Sequence, residues 1–401
     1  MVNRIHDFVG KLQQPSVVRH VEEVLSAMAD PQASSFHGPG PVSINLDVTT
    51  ACNYKCDHCI DFEILNTGEA HGQDTLLESL VTLSLAGLRS VILIGGGEPT
   101  VYPHFVNIVR AIKLLNLQCA IVSNGGRPAR LAAVADQLTP GDWIRLSLDA
   151  GTEETFIAMH RPLRGVTLHG ICEMVAEAKK INPEVRWGFS YIVSWPGLTG
   201  PNLVPLMTNT AEMARATVLA KESGFDYITF KPMLQRDSDG AETIRWPAGE
   251  AGERLRAEIN AQLDQANEYE DESFSVLESL NMGKAALDSD NRLHLEDPLR
   301  NQPKNCYMHF LRQVLTPTGL YGCPVYRGNS KDQLGGPDAF AGIPRLLATL
   351  ESTRAHVGTF DARYECRNVA CLSNAANWWI DSLSKSGQSP QVGVELDDYY
   401  M

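Results

Sequence analysis

Three cysteines stand close together near the start of the chain. They are Cys52, Cys56 and Cys59, within the run Asp47–Asp61, and they follow a CxxxCxxC spacing. Three thiolates are one ligand short of a closed tetrahedral metal site. A four-iron cluster that is held by three cysteines therefore keeps one iron without a protein ligand, and that iron can bind a substrate or a cofactor. The spacing predicts an open, reactive iron–sulfur centre in this loop.

Two other kinds of site use part of the same pattern. The pair Cys56 and Cys59 has the CxxC spacing found in half of a zinc site and in thioredoxin-like redox pairs. A zinc site needs a second compact pair nearby, and the redox motif opens a helix without a third thiol four residues upstream. The three-cysteine spacing favours the iron–sulfur cluster over both alternatives.

A second motif follows the apolar run Ser90–Ile94 and consists of Gly95, Gly96, Gly97 and Glu98, followed by a proline. Consecutive glycines let a ligand approach the backbone without obstruction by side chains. The carboxylate of Glu98 can accept a hydrogen bond from an ammonium group. This turn is a candidate cofactor site, and a tight strand-to-helix turn is the alternative reading of it.

Polar side chains also end the next two predicted strands. Asn124 follows the third strand, and Ser147 and Asp149 lie at the end of the fourth. A hydroxyl and a carboxylate are suited to bind two adjacent sugar hydroxyls. An N-cap role for Ser147 or Asp149, ahead of a helix near Glu153, is equally compatible with these residue types.

Four further cysteines gather in the last hundred residues. The segment before Pro317-Thr-Gly319 and the segment after it form a predicted hairpin, and one cysteine lies on its return strand. The four are candidate ligands of a second metal centre: Cys306, Cys323, Cys366 and Cys371. A structural zinc with the same four ligands is the alternative, and so is a cluster with three ligands that leaves one cysteine free.

Other reactive side chains are predicted to have structural roles. Cys119 opens the third strand and Cys172 lies in a helical segment, where a buried, inert thiol is the usual outcome. His160, Arg161 and Lys231 follow predicted elements, and we expect them to form surface or interdomain ion pairs.

Composition limits the class of protein. The chain has 401 residues, 43% of them hydrophobic, and a net charge of -14. This acidic balance argues against nucleic acid or an anionic membrane as the main partner. We find no signal peptide and no apolar run that could span a bilayer, so a cytoplasmic location is expected. In that reducing compartment, nine cysteines are expected to be metal ligands rather than disulfides.

Short apolar runs alternate with segments of helical period, which predicts βαβ units and a parallel sheet. About six such units fit before Pro232, so the predicted fold is α/β, an open (β/α)6 partial barrel with working groups at the carboxyl ends of the strands. The predicted strands are 43–48, 90–94, 118–123, 143–148, 187–193 and 227–230, and the clearest predicted helices are 76–88, 105–115 and 253–268. The predicted domains are a helical extension (1–41), the barrel (42–236), a helical connector (237–304) and a small α+β unit (305–401).

The three-cysteine spacing and the Gly-Gly-Glu-Pro motif together resemble the radical S-adenosylmethionine (radical SAM) family. The family signature has an aromatic residue before the last cysteine, and His58 stands there in this chain. The resemblance covers Leu46–Pro232. The last four cysteines are more loosely similar to the auxiliary-cluster (twitch or SPASM-like) domain of some relatives, because Gly319 and Cys323 have three residues between them where relatives have four.

This resemblance implies a TIM-like partial barrel with a [4Fe-4S] cluster on the first three cysteines, S-adenosylmethionine as cofactor and a second [4Fe-4S] cluster behind the barrel. It implies that the glycine motif contacts the amino group of the methionine half of the cofactor. It further implies that Ser147, Asp149 and Asn124 serve the adenosine half. A flavodoxin- or ferredoxin-type electron donor is expected as a partner.

The expected activity is hydrogen abstraction by a 5′-deoxyadenosyl radical from a small polar substrate that resembles a carbohydrate or an aminocyclitol. Dehydrogenation follows if the second cluster accepts an electron, and epimerisation follows if a thiol returns a hydrogen. A peptide- or protein-modifying enzyme is an alternative, which the short N-terminal extension disfavours. A non-catalytic iron–sulfur or zinc protein is the remaining alternative.

Overall fold

The computed structural model describes residues 6–29, 38–282 and 301–401. The strands in chain order are β1 (Ser43–Asp47), β2 (Ser90–Ile94), β3 (Gln118–Ser123), β4 (Trp143–Ser147), β5 (Arg186–Val193), β6 (Tyr227–Pro232), β7 (Gln235–Arg236), β8 (Glu242–Thr243), β9 (Ser275–Glu278), β10 (Arg312–Thr316), β11 (Gly319–Tyr321) and β12 (Gln333–Gly335). The helices are α1 (Phe8–Leu12), α2 (Pro15–Ala29), α3 (Gln73–Leu85), α4 (Phe105–Leu114), α5 (Pro128–Ala135), α6 (Glu153–His160), α7 (Leu168–Ile181), α8 (Met213–Glu222), α9 (Gly249–Asn267), α10 (Met308–Leu311), α11 (Ile343–Thr359), α12 (Ala362–Glu365) and α13 (Asn374–Ser386).

Ten of the described strands form one sheet, in the order β12-β11-β10-β1-β2-β3-β4-β5-β6-β9. Strands β1 to β6 are neighbours in chain order and run parallel. Right-handed crossovers between sequential parallel strands place the connecting helices on one face of the sheet. We call the opposite face the inner face. All the carboxyl ends of β1 to β6 lie at one edge, and the candidate residues are at this edge.

Alternation of side chains explains why these segments form a sheet covered by helices on one face. In β4, Ile144 and Leu146 are fully buried, whereas Trp143, Arg145 and Ser147 are only partly buried. Alternate residues of a strand point to opposite faces, so the apolar set packs on the helices and the polar set lies on the inner face. The four residues that helix α4 buries recur at the spacing of one helix face, which covers the sheet: Phe105, Ile108, Val109 and Ile112.

The predicted strands and helices are present, with boundaries that differ by a few residues. Two strand pairings cross the predicted domain boundaries. The predicted connector contributes β9, which lies parallel to β6, and the predicted C-terminal unit contributes β10, which lies parallel to β1. The hairpin of β10 and β11 is confirmed. The sequence pattern of the hairpin predicted β11 as the antiparallel neighbour of β10. It did not predict β1 as the parallel neighbour, because a partner from the other end of the chain leaves no local signal.

Both ends of the described chain cover the amino-terminal edge of the sheet. The α2 side chains Val17, Val21 and Val24 are buried, in agreement with the predicted helical extension. The C-terminal segment adds contacts that the sequence pattern did not indicate: the ammonium of Lys11 donates to the carbonyl of Tyr400, at 2.7 Å. The carboxyl edge is left for the candidate site. In the described ranges no helix has the length and apolar character needed to cross a bilayer.

His71 is a buried histidine that links the first loop to the sheet. Its backbone N–H donates to the carbonyl of Val48, and its own carbonyl accepts from the hydroxyl of Tyr102. The imidazole is 6% exposed, and its Nε2 has no hydrogen-bond partner. Burial therefore lowers the pKa of His71 to about 4.

We expect His71 to make folding stability depend on pH. Its folded pKa lies below the unfolded value, so the unfolded state binds more protons as the pH falls below about 6.5. The contribution of neutral His71 to the free energy of unfolding is fully present above that pH and is lost as the pH falls toward 4. In His71→Gln, the fall in the free energy of unfolding between these pH values should be smaller by about 3 kcal/mol. Urea titrations at each pH measure this.

The matched control is His169→Gln, because the His169 side chain is 78% exposed. That variant should follow the parent protein at every pH. Parallel curves for the parent and His71→Gln would contradict the assignment.

Candidate active site

The cysteine loop leaves the carboxyl end of β1 and is held in place by backbone hydrogen bonds. The N–H of Cys52 donates to the side-chain oxygen of Asn66 at 2.9 Å, and the N–H of Cys59 donates to the carbonyl of Cys56 at 3.3 Å. The N–H of Lys55 donates to the carbonyl of His160. The loop therefore has a defined conformation supplied by the protein itself.

The three thiols of this loop share one half-buried space. Burial raises the pKa of Cys59 to about 12, and the charge of Cys52 adds to this rise. Burial likewise raises the pKa of Cys56 well above its ordinary value, and here both neighbouring thiolates contribute. Three thiolates in such a space repel one another unless a cation lies between them. This donor set fits an iron–sulfur cluster, as predicted from the spacing.

The glycine motif packs directly beneath the cysteine loop. A Cβ atom on Gly97 would lie 2.3 Å from the carbonyl oxygen of Ala51, which no larger residue can accept. The N–H of Gly96 donates to the carboxylate of Asp47, and the N–H of Glu98 donates to the carbonyl of Ala51. The glycines are therefore needed for the close approach of two backbones, and Gly95 and Gly97 remain partly exposed.

Glu98 is placed differently from the prediction. Its carboxylate is 3% exposed and accepts hydrogen bonds from Thr100, from the hydroxyl of Ser123 at 2.7 Å and from the N–H of Asn124 at 2.8 Å. Burial raises the pKa of Glu98 even though these donors oppose the shift. The carboxylate ties the end of β2 to the end of β3 instead of facing a ligand. The backbone of the glycines is the part of this motif that a ligand can reach.

Asn124 and Ser147 lie where the sequence places them, at the ends of neighbouring strands. The side-chain NH₂ of Asn124 donates to the oxygen of Asn53 in the cysteine loop, at 2.9 Å. Ser147 is partly buried on the inner face, opposite Ser190 of β5. The side-chain oxygen of Asn124 accepts from the N–H of Gly126 at 2.9 Å, so a contact of Asn124 or Ser147 with a ligand stays a prediction.

Asp149 lies in an interior cluster with two histidines. The residue is fully buried and adopts a left-handed backbone conformation, with φ of 52°, that aspartate tolerates. One carboxylate oxygen accepts from the N–H of Ile192, and the other lies 3.2 Å from Nε2 of His160 and 3.4 Å from Nε2 of His58. Burial alone would raise the pKa of Asp149, but hydrogen bonds from the two histidines hold it below its ordinary value. Asp149 thus faces His58 and His160 in the interior, and the ribose contact stays a prediction.

His160 connects this cluster to the thiols, a relation that the sequence did not indicate. Its Nδ1 lies 3.3 Å from Sγ of Cys56, and its Nε2 lies 3.0 Å from the carbonyl of Leu148. The ring is 2% exposed, so it is not the surface ion-pair residue that we expected. Arg161 does form the expected surface ion pair, with Asp57. The sequence showed only that His160 precedes Arg161 after a predicted helix, and this did not indicate that His160 would lie beside Cys56.

The four C-terminal cysteines come together as predicted. Cys306, Cys323, Cys366 and Cys371 pack against one small apolar cluster. Burial raises the pKa of Cys306 well above its ordinary value, and the charges of the other three thiols add to the rise. These four donors fit either a second iron–sulfur cluster or a structural zinc ion.

Buried polar groups support this second set. The N–H of Cys323 donates to the carboxylate of Asp332 at 2.7 Å. The other oxygen of Asp332 lies 2.8 Å from Nε2 of His356 and 3.4 Å from Nε2 of His309. Asp332 is fully buried and positions the backbone of Cys323, which lies just beyond the end of β11. Cys119 and Cys172, by contrast, are buried away from both sets, in agreement with the prediction.

Arg327 joins the two cysteine regions. Its guanidinium lies 3.0 Å from Asp47 at the end of β1 and 2.6 Å from Asp61, which follows the cysteine loop. Arg327 is 7% exposed, and both aspartates are below that value. Burial alone would lower the pKa of Arg327, but the two carboxylates hold it above its ordinary value. The ion pairs therefore fix the C-terminal segment against the loop of the first three thiols.

Two partly buried cations lie on the inner face. Arg145 of β4 pairs with Gly188 of β5, and the ring of Tyr227 covers that glycine. Lys231 lies on the same face of β6 as Tyr227. Burial lowers the pKa of Lys231 well below its ordinary value, and the charge of Arg145 lowers it further. Neither cation forms an ion pair with any residue that the structure describes, contrary to the expectation for Lys231.

Comparison with known proteins is consistent with this site. Residues 46–206 match the model of the Radical SAM superfamily. A protein of the Thermoplasmatales archaeon strain ISO4-H5, named S-adenosylmethionine-dependent nucleotide dehydratase, is 30% identical over 37% of this chain and 52% of its own length. A protein of Flammeovirga pacifica with the same name is 29% identical over 28% of this chain and 40% of its own length. The chain thus spans about half of the length of these curated relatives.

Two solved structures resemble the fold at low sequence identity. Streptococcus suis SuiB bound to the precursor peptide SuiA has a TM-score of 0.55 and 12% identity, covering 89% of this chain and 75% of that chain. Native anSMEcpe with bound AdoMet and the Cp18Cys peptide has a TM-score of 0.54 and 13% identity, covering 87% of this chain and 100% of that chain. At this identity the likeness concerns the fold alone.

Replacement of Arg327 should destabilise the protein strongly. Arg327→Met leaves the buried Asp47 without its cation and Asp61 with Arg236 alone, which should lower the free energy of unfolding by about 3–5 kcal/mol. Urea titration of the purified variant measures this. The control is Arg345→Met, which removes an ion pair with Asp338 at a position where the Arg345 side chain is 54% exposed. This variant should lower the free energy of unfolding by less than about 1 kcal/mol. Equal losses in the two variants would contradict the role of Arg327.

Proposed function

On the premise that residues 46–206 form a radical SAM superfamily domain, we propose that the protein is an enzyme that cleaves S-adenosylmethionine reductively and abstracts a hydrogen atom from a small polar substrate. The observation that carries this proposal is the convergence of Cys52, Cys56 and Cys59 against the glycine turn. When bound, the [4Fe-4S] cluster and S-adenosylmethionine supply one-electron cleavage of the sulfonium carbon–sulfur bond, which yields methionine and a 5′-deoxyadenosyl radical.

The residues of the chain position the reaction and keep water out. The three cysteines hold three irons, and the exposed backbone at Gly95 and Gly97 receives the methionine half of the cofactor. Asn124 and Ser147 serve the adenosine half. Asp149 has an indirect part in this proposal, because it orients His160 beside Cys56.

The second cysteine set bears on the outcome of the reaction. We assign a [4Fe-4S] cluster to it. Held by Cys306, Cys323, Cys366 and Cys371, such a cluster would supply an acceptor for the electron of a substrate radical, and dehydrogenation would be the result. Epimerisation needs a thiol that returns a hydrogen to the substrate. Cys119 and Cys172 are both 2% exposed or less, and Cys119 lies opposite the core residue Val91, which disfavours either as that donor.

A triple variant tests the first metal site. Replacement of Cys52, Cys56 and Cys59 by Ala should abolish formation of 5′-deoxyadenosine, because no thiolate remains to hold the cluster. Chromatography of anaerobic reactions with dithionite measures the product. Iron analysis should show a fall from about eight to about four irons per chain if the second cluster is present.

Cys119→Ala is the matched control and should keep both the product and the iron. Product formation by the triple variant would contradict the proposed function. A fall from about four irons to none, with one zinc retained, would make the second site structural.

A second candidate substrate class is favoured by the inner-face cations. Arg145 and Lys231 are partly buried and close enough to affect each other's charge, and they form no ion pair in the described part of the chain, although the charge of Asp149 acts on both. Buried charges without a counter-ion are strongly unfavourable. A substrate phosphate would offset this cost, whereas a neutral sugar or aminocyclitol would not. Relatives that share part of this chain are named nucleotide dehydratases, and we propose a nucleotide-like substrate as this second candidate.

Ligand binding distinguishes the two substrate classes. Nucleoside triphosphates and inorganic tripolyphosphate should raise the melting temperature of the parent protein, and a neutral aminocyclitol should not. Lys231→Met should weaken the phosphate effect by about tenfold or more, since a charge-assisted contact is lost. Differential scanning fluorimetry over a range of ligand concentrations measures both effects.

Lys231→Arg should retain most of the effect, and Lys221→Met provides a control at a surface ion pair with Asp271. An equal response of the parent and Lys231→Met to phosphates would remove the basis for the nucleotide-like class.

A further inference from the structure

A patch of cationic and apolar side chains lies on the surface beside the cysteine loop. We call it the cationic face and define it by Lys55, Ile157, Arg161, Leu163 and Arg164. The three cations are exposed. Ile157 is 50% exposed and Leu163 is 51% exposed, which is unusual for large apolar residues next to one another.

The cationic face adjoins a proposed cluster ligand, because Lys55 directly precedes Cys56 in the chain. The N–H of Lys55 donates to the carbonyl of His160, and Sγ of Cys56 lies 3.5 Å from that same carbonyl oxygen. Arg161 follows His160 at the C-terminal end of α6, with a left-handed φ of 44° that turns the chain outward. A protein bound here would therefore be close to the metal site.

The shape of this surface is suited to a partner. Ile157, Arg161, Leu163 and Arg164 line a cavity of about 310 Å³. Gly165 has a φ of 89°, and a Cβ atom placed there would meet nothing within 4 Å. An apolar centre surrounded by arginines is typical of protein interfaces.

The charge of the surface is opposite to that of the whole chain. The net charge of the protein is -14, yet two arginines line the cavity with this apolar centre, and Lys55 is joined to it through the carbonyl of His160. Asp57 pairs with Arg161, and Glu154 is the exposed acid on the same helix, so the acids here do not outnumber the cations. A cationic patch on an acidic protein favours encounter with an acidic partner.

We propose that the cationic face docks a flavodoxin, an acidic one-electron carrier whose flavin exposes an apolar dimethylbenzene edge. Ile157 and Leu163 contact that edge, and Lys55, Arg161 and Arg164 face the acidic side chains around it. One electron passes from the reduced flavin to the cluster held by Cys52, Cys56 and Cys59, and the flavin is oxidised by one electron. This inference rests on the proposed function, because only a redox cluster needs such a donor.

The test compares a protein reductant with a chemical one. The double variant Leu163→Asp and Arg164→Glu should form 5′-deoxyadenosine at least tenfold more slowly with flavodoxin, its reductase and NADPH at low ionic strength. With dithionite the rate should equal that of the parent. Added salt should slow the flavodoxin reaction of the parent and should change that of the variant little, because the charge attraction is screened.

Arg110→Glu is the control for charge reversal, since it repeats the Arg164→Glu change on the exposed side of α4. It should behave as the parent with both reductants. An unchanged flavodoxin rate in the double variant would overturn the docking site, and so would an equal loss with both reductants. The same assay is repeated with ferredoxin as the protein reductant. If the double variant loses rate with ferredoxin but not with flavodoxin, the choice of flavodoxin is overturned.

Binding provides a readout that does not require turnover. Titration calorimetry should show at least tenfold weaker flavodoxin binding by the double variant than by the parent or Arg110→Glu. If the parent forms no product with dithionite, the proposed function fails, and the calorimetry still decides whether the cationic face binds flavodoxin.

Discussion

Thiolates that share a buried space repel one another, and much of the site is organised around this constraint. Burial and mutual charge raise the pKa of Cys56 and Cys59, so the loop is unsuited to hold three bare anions. The loop nevertheless has a defined shape, because Asn66 and the carbonyl of His160 hold its backbone. The protein thus supplies a preformed set of donors whose charge a cationic metal group offsets.

Buried carboxylates do the positioning around both cysteine sets. Glu98 joins the ends of β2 and β3, Asp149 orients His160 and His58, and Asp332 holds the backbone of Cys323. Each of these groups has at least two polar partners, which offsets the cost of burying a charge. Arg327 adds a link between the regions, because it contacts Asp47 and a residue beyond the first cysteine loop.

Positive charge is concentrated at two places in an otherwise acidic chain. Inside, Arg145 and Lys231 lie on the inner face of the sheet, and the charge of Arg145 lowers the pKa of Lys231. Outside, Lys55, Arg161 and Arg164 are exposed, and Lys55 belongs to the cysteine loop. The phosphate and the acidic protein partner proposed for these two places would therefore meet different parts of the chain.

Local patterns were enough to identify much of the protein from its sequence. The cysteine spacing, the glycine turn and the alternation of strands and helices are set by neighbouring residues, and the structure has β1 to β6 in the predicted order. The hairpin of β10 and β11 was also evident, because a turn and its two strands are contiguous.

Only the tertiary structure decided which distant residues meet. His160 lies beside Cys56, β10 pairs with β1, and Arg327 contacts Asp47, although each pair is far apart in the chain. In the tertiary structure the carboxylates of Glu98 and Asp149 also accept hydrogen bonds from backbone N–H groups, whereas the sequence had indicated contacts with a ligand. A side chain's type and spacing reveal what chemistry it can do. Its partner depends on packing between elements, for which a single sequence carries no local signal.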